Sequence, residues 1–173
     1  MNILSLFSGA GGLDLGFVRA GYQISLAIEY DEQAAKSYRA NFPSHNVWHR
    51  DIRDVSIQEI TDAIGGGITG IIGGPPCQPW SVAGKRLGAF DKRDMIPEFL
   101  RIVDGIHPKF VLMENVRGLI AWNEGHYFQN ILDRLEVMNY EVDWRVLDAA
   151  NHGVPQHRHR VFITAFSLAR TDS

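Results

Sequence analysis

The chain has 173 residues, with 17 Lys and Arg against 20 Asp and Glu, so its formal net charge is −3. With 45% apolar and 21% charged residues it has the make-up of one globular domain, neither disordered nor collagenous. The slight acidity argues against a stand-alone nucleic-acid-gripping surface, and one cysteine, Cys77, excludes an intramolecular disulfide and a multi-cysteine zinc site.

No apolar run approaches the roughly 20 residues of a membrane helix. Met1-Asn2-Ile3 lacks the basic start of a secretory signal, so the expected compartment is the cytoplasm. Residues 2–7 predict a first strand, followed by a Gly-rich turn and a helix to about Ala20, with Gly21 at its end. Residues 23–29 predict a second strand, and Asp31 caps a helix bearing Ala34, Ala35 and Tyr38. Residues 47–49 predict a short third strand, and Ser56-Ile57-Gln58-Glu59 is a capping-box signature.

Residues 70–73 belong to a fourth strand that enters Pro75-Pro76-Cys77, and a polar, Gly-containing loop follows from Val82 to about Asp94. Met95, Phe99, Ile102, Val103 and Ile106 recur at helical spacing. Residues 109–114 predict a fifth strand, and Phe128, Ile131, Leu132, Leu135 and Met138 mark another helix. Residues 141–146 alternate strictly, as in a half-exposed strand near a sheet edge, and residues 160–166 predict a last strand. Seven strands alternating with helices, without repeats or linkers, predict an α/β fold with a doubly wound, mostly parallel sheet. One domain over residues 1–168 and a polar tail over 169–173 are expected.

Phe7-Ser8-Gly9-Ala10-Gly11-Gly12-Leu13 lies between the first strand and first helix, where glycines let the backbone approach a ligand facing helix N–H groups. The alternative is a tight structural turn. The dinucleotide pattern fails at Asp14, which disfavours a nicotinamide cofactor and leaves a nucleoside cofactor without a pyrophosphate. Glu29, ending the second strand, suits ribose hydroxyls; Asp51 suits an adenine amino group or is a solvated loop carboxylate.

Cys77 stands among three prolines at the carboxyl edge of a strand, which fits a nucleophile better than a core filler. Glu114 either reaches the same crevice or is a solvated strand-end carboxylate. Its apolar neighbours predict a raised pKa, as a proton donor needs. In Gln156-His157-Arg158-His159-Arg160 a period of two puts the arginines on one face and the histidines on the other. His-x-His has no third ligand apparent, so no metal site is expected. Lys85, Arg86, Lys92 and Arg93 form a basic cluster, either a solvated loop or a phosphate contact beside the cysteine.

Taken in order, these motifs resemble those of the cytosine-5 DNA methyltransferases, from residue 2 to about 166. Phe7 to Gly12 is similar to the family's first cofactor motif and Pro75-Pro76-Cys77-Gln78-Pro79-Trp80 to its nucleophile motif. Glu114-Asn115-Val116 is similar to its acid motif, and Gln156 to Arg160 to its Gln-x-Arg-x-Arg motif. The resemblance implies a Rossmann-like methyltransferase fold and S-adenosylmethionine as cofactor, converted to S-adenosylhomocysteine. Phe7, Gly9, Gly12 and Leu13 would border the cofactor, with Glu29 on its ribose and Tyr30, where the family often has Trp, near its adenine. Asp51 and Ile52 would contact the adenine, and Gly74, Pro76 and Ile96 would close the pocket.

By the same resemblance Cys77 would add to cytosine C6, Glu114 would bind the N3 edge, and Arg158 and Arg160 would orient the ring through O2. The target base would be flipped out of duplex DNA, with Gln78, Ser81, Lys85 and Asn115 near the DNA. The family continues past the arginine motif into a target-recognition region and a last Asn-containing motif, and some members are split into two chains. The expectation is therefore the catalytic part of a DNA methyltransferase, of the kind found in restriction-modification systems, working with a second polypeptide. The transfer-RNA cytosine-5 branch and a non-catalytic cofactor- or partner-binding fragment are the alternatives.

Overall fold

The computed structural model describes residues 1–77 and 94–168. Most of the expected 82–94 loop and the tail at 169–173 lie outside them. Seven strands form one sheet: β1 (Asn2–Leu6), β2 (Gln23–Glu29), β3 (Val47–His49), β4 (Ile68–Gly73), β5 (Phe110–Val116), β6 (Tyr140–Asp148) and β7 (His159–Ser167). Their order is β3-β2-β1-β4-β5-β7-β6. The first five run parallel, and β7 inserts antiparallel between β5 and β6.

The helices among the described residues are α1 (Gly12–Arg19), α2 (Glu32–Asn41), α3 (Ile57–Ile64), α4 (Ile96–Ile106) and α5 (His126–Val137). Local chemistry starts two of them as expected. Asp31 accepts the Ala34 N–H, and Ser56 and Glu59 complete a reciprocal capping box that satisfies two orphan donors. Apolar side chains cover both faces of the sheet centre. Ile3, Leu4 and Leu6 on β1 and Ile71 and Ile72 on β4 are fully buried, as strands flanked by crossover helices require.

The described structure departs from the expected boundaries in informative places. β4 starts at Ile68, where its pairing with β1 begins, ahead of the apolar run that marks it in sequence. β5 continues to Val116 because β7 pairs with it along its whole length, so Glu114 sits within the strand rather than at its end. β6 is the sheet edge, as its alternation implies, yet Trp144 remains 41% exposed, with the Phe128 ring against it edge-on. Sequence periodicity does not mark the 3₁₀ turns Ile52–Asp54 and Ala149–His152, or the kinked stretch Arg117–Gly125, since turns this short carry no repeating apolar face.

Candidate active site

The sheet reverses its winding between β1 and β4, and open α/β sheets bind ligands in the crevice outside the carboxyl ends at that point. Two adjoining clefts of about 490 and 530 Å³ lie there and share Phe7 and Gly74 in their walls. The first is flanked by Glu29, Tyr30, Asp51, Ile52, Pro76 and Met95. The second is flanked by Gly9, Gly12, Leu13, Glu114 and Arg158.

On the β1 side, the chain leaves Leu6 through left-handed backbone at Phe7, Gly9 and Gly11 before entering α1. A Cβ on Gly11 would lie 2.4 Å from a ring carbon of Phe42, so both its φ of 90° and its surroundings require glycine. The Gly9 and Asp31 N–H groups donate to the two oxygens of Glu29, each at 2.7 Å. Glu29 thereby ties the glycine loop to the start of α2 while keeping lone pairs for a hydroxyl donor. Ser8 Oγ is buried with no hydrogen-bond partner among the described residues. Together with the start of α1, which Gly11 leaves without a side-chain cap, it suits a carboxylate ligand.

Beneath the loop, Asp14 is fully buried and accepts bonds from Ser5 Oγ at 2.7 Å and Tyr38 Oη at 2.6 Å. Burial pushes its carboxyl up from the ordinary value, against these two donors. Sequence reading noticed Asp14 only as a break in the dinucleotide pattern. A polar residue on the inward face of α1, nine residues after Ser5, was the available sign. Across the first cleft, Asp51 caps its 3₁₀ turn by accepting the Arg53 N–H at 3.0 Å, and the Arg53 guanidinium forks onto both its oxygens. That arginine holds the Asp51 carboxyl below the usual carboxylate range.

On the β4 side, Asn115 is 5% exposed and its amide donates to the Pro75 carbonyl at 3.0 Å. Parallel pairing sets Gly73 beside Met113, so two residues on Asn115 reaches the backbone of the cysteine loop. Met95 N–H donates to the Pro76 carbonyl at 3.1 Å, and Cys77 bridges Asp94 in an isolated antiparallel contact. Asp94 is also anchored, accepting the Ile96 N–H at 3.1 Å and the Tyr127 hydroxyl. Cys77 is half-buried on this pinned extension. Ile96 is 1% exposed in the core, and its neighbour Met95 lines the cleft wall because α4 turns Ile96 inward.

Glu114 joins the two sides. A Cβ on Gly74 would lie 3.1 Å from Glu114 Oε2, and Glu114 Oε1 is 2.9 Å from Arg160 Nε. Burial raises the Glu114 carboxyl above its ordinary value of 4.5, and the charges of Arg160 and Arg158 offset only part of that rise. His157 and His159 turn instead to Asp148, at 2.8 and 3.5 Å, so the alternation of the motif separates arginines from histidines. Gln78, Ser81 and Lys85 lie outside the described residues.

Among the described residues, no cluster of three His, Cys, Asp or Glu could hold a metal ion, and no helix is long and apolar enough to cross a membrane. The crevice thus brings together a cysteine loop, a poorly hydrated carboxyl with two arginines, and a glycine loop with two carboxylates, Glu29 and Asp51, in the adjoining wall.

Residues 1–171 match the family C-5 cytosine-specific DNA methylase. The chain is 41% identical over 181 residues to the Type II methyltransferase M.AquIA of Picosynechococcus sp., covering 98% of this chain and 73% of that one. It is 42% identical over 167 residues to the Type II methyltransferase M.FnuDI of Fusobacterium nucleatum, covering 96% and 47%. Among solved structures it superposes at a TM-score of 0.83 and 31% identity on a protein described as a DNA modification methyltransferase encoded within an E. coli prophage, covering 96% and 47%. A mutant of Spodoptera frugiperda DNMT2 follows at a TM-score of 0.79 and 30% identity, covering 98% and 51%. The chain spans about half the length of the last three and nearly three quarters of the first.

Proposed function

The chain belongs to the C-5 cytosine-specific DNA methylase family, and from that premise we propose that it transfers a methyl group from S-adenosylmethionine to C5 of a flipped-out cytosine in DNA. The observation that carries this reading is the approach of Glu114 to Gly74, three residues before Cys77, in a crevice continuous with the glycine loop. A small ring in that space would meet the Glu114 carboxyl and lie next to the loop that carries the Cys77 thiol.

The residues fit the cofactor. Phe7, Gly9, Gly12 and Leu13 would border it, and the orphaned Ser8 hydroxyl with the start of α1 would take its carboxylate. Glu29 would hold the ribose hydroxyls, and Tyr30, Asp51 and Ile52 the adenine, with Gly74, Pro76 and Met95 closing the cleft. The cofactor supplies an electrophilic methyl group on a sulfonium.

Cytosine C5 is a weak nucleophile, and the chain's own groups change that. Cys77 as thiolate forms a bond to C6, and the displaced π electrons make C5 nucleophilic. Glu114, whose carboxyl burial pushes up, would in its protonated form donate toward N3 and stabilise the charge that develops on the ring. Arg158 and Arg160 orient the carbonyl and hold Glu114. Once C5 carries the methyl group, water takes the C5 proton, the C–H electrons re-form the C5–C6 double bond, and the S–C6 bond breaks to release Cys77 as thiolate.

The formal net charge of −3 leaves most of the DNA grip to be supplied by a further segment or a second polypeptide. Duplex DNA carrying 5-fluorocytosine tests the adduct, because fluorine cannot leave C5 as the proton does. With S-adenosylmethionine present, the chain should become covalently attached and run as a heavier species in denaturing gels. Absence of the adduct with wild type in the presence of its partner would overturn the nucleophile assignment.

A further inference from the structure

His157 and His159 take no part in the chemistry above, yet both turn to Asp148, a residue at the end of β6 that no motif contains. Asp148 Oδ1 accepts the N–H of Ala150 at 3.2 Å, capping the turn Ala149–His152, and the N–H of Arg158 at 2.9 Å. Its Oδ2 accepts His157 Nδ1–H at 2.8 Å and lies 3.5 Å from His159 Nε2. These bonds hold its carboxyl down at about 2, so the anion is present throughout the neutral range.

The two arginines of the motif are not held alike. Arg160 pairs with Leu147 of β6 on one side and Val116 of β5 on the other, so two strands fix its backbone. Arg158 lies one residue beyond the ladder, whose terminal pair is Asp148 with His159. Its N–H is taken by the Asp148 side chain, and its carbonyl accepts the Ala149 N–H at 3.1 Å. Its side chain borders the cleft with Glu114, close enough for its charge to act on that carboxyl.

We infer that Asp148 is the positioning residue that holds Arg158 over Glu114, with His157 and His159 locking its second oxygen from the opposite face. The inference rests on the proposed role of Glu114. It predicts that loss of Asp148 acts through Arg158 and spares the Arg160 pair.

The Glu114 carboxyl, followed by carbon NMR across a pH titration, reads this without requiring turnover. Asp148→Ala should raise the Glu114 midpoint by about half a pH unit or more, to the value seen in Arg158→Ala. Asp148→Asn keeps an acceptor for the two N–H groups and should stay near wild type. Asp148→Ser keeps the cap at Ala150 without the second oxygen, and serves as the folded substitute should the alanine variant fail to fold. In methyl transfer, the alanine or serine variant should lose about tenfold in kcat with cofactor KM unchanged, and the asparagine variant should recover it. A Glu114 midpoint unmoved in the alanine and serine variants, while Arg158→Ala moves it, would overturn the inference. Wild type that transfers no methyl group either alone or with extract of the source organism would sink the proposed function, and the Glu114 titration would still decide the role of Asp148.

Discussion

Arg160 Nε lies 2.9 Å from Glu114 Oε1, joining antiparallel neighbours through residues two registers apart: Arg160 faces Val116, and Glu114 faces Phe162. The pair keeps a buried acid from standing alone, yet burial still wins and the carboxyl titrates above 4.5. A raised acid is stabilised in its neutral form, so its contribution to stability is complete below 4.5 and is lost as pH rises through the folded value. Arg160→Ala removes a lowering influence and should move the Glu114 midpoint further up, with the loss of stability extending to higher pH. Thermal unfolding across that window checks the sign. Glu114→Gln should keep the fold and lower kcat by about 10² to 10⁴.

Cys77→Ser should leave the thermal midpoint within a few degrees of wild type, because the side chain is half-buried and the change nearly isosteric. Methyl transfer should fall by about three orders of magnitude or more, since a serine hydroxyl is not ionised near neutrality. Radiolabel counting on duplex DNA measures it.

Gly11 and Gly12 separate packing from binding. Gly11→Ala forces a Cβ to within 2.4 Å of Phe42 at a left-handed φ, and should cost about 1–3 kcal/mol in urea unfolding. Gly12 has nothing within 4 Å of a Cβ and borders the second cleft, so Gly12→Ala should spare stability and weaken S-adenosylmethionine binding. Calorimetric titration compares the two.

Glu59 accepts both the backbone N–H and the hydroxyl of Ser56 and pairs with Arg50, which depresses its carboxyl to about 2. A depressed acid contributes stability that is present above 4.5 and is lost as pH falls toward 2. The gap in Tm between wild type and Glu59→Gln should hold steady near neutrality and close over that range. A gap that does not change with pH would remove the charge from the explanation.

Much of this was legible in the sequence where the determinants are local. Asp31 and Ser56 cap the helices they precede, and the glycine, cysteine, acid and arginine motifs each lie next to the crevice or the loop that enters it. The contacts of Asn115 and the burial of Ile96 lie beyond local reading. Whether a strand-end amide meets solvent or a neighbouring carbonyl depends on which strand lies alongside, and Asn115 meets Pro75, 40 residues away. Asp148 was invisible for the same reason: its value lies in a return of the chain ten residues later. The buried Asp14 network likewise becomes apparent only when α2 brings Tyr38 against α1.

Formation of 5-methyldeoxycytidine tests the central claim most directly. Mixed-sequence duplex DNA and, separately, transfer RNA would be incubated with S-adenosylmethionine and the purified chain, alone and with extract of the source organism. Nucleoside mass spectrometry would read the product, with Cys77→Ser in parallel. The account predicts 5-methylcytosine in DNA with the wild-type chain and none above background with the variant. Product confined to RNA, or equal product from the two chains, would contradict it.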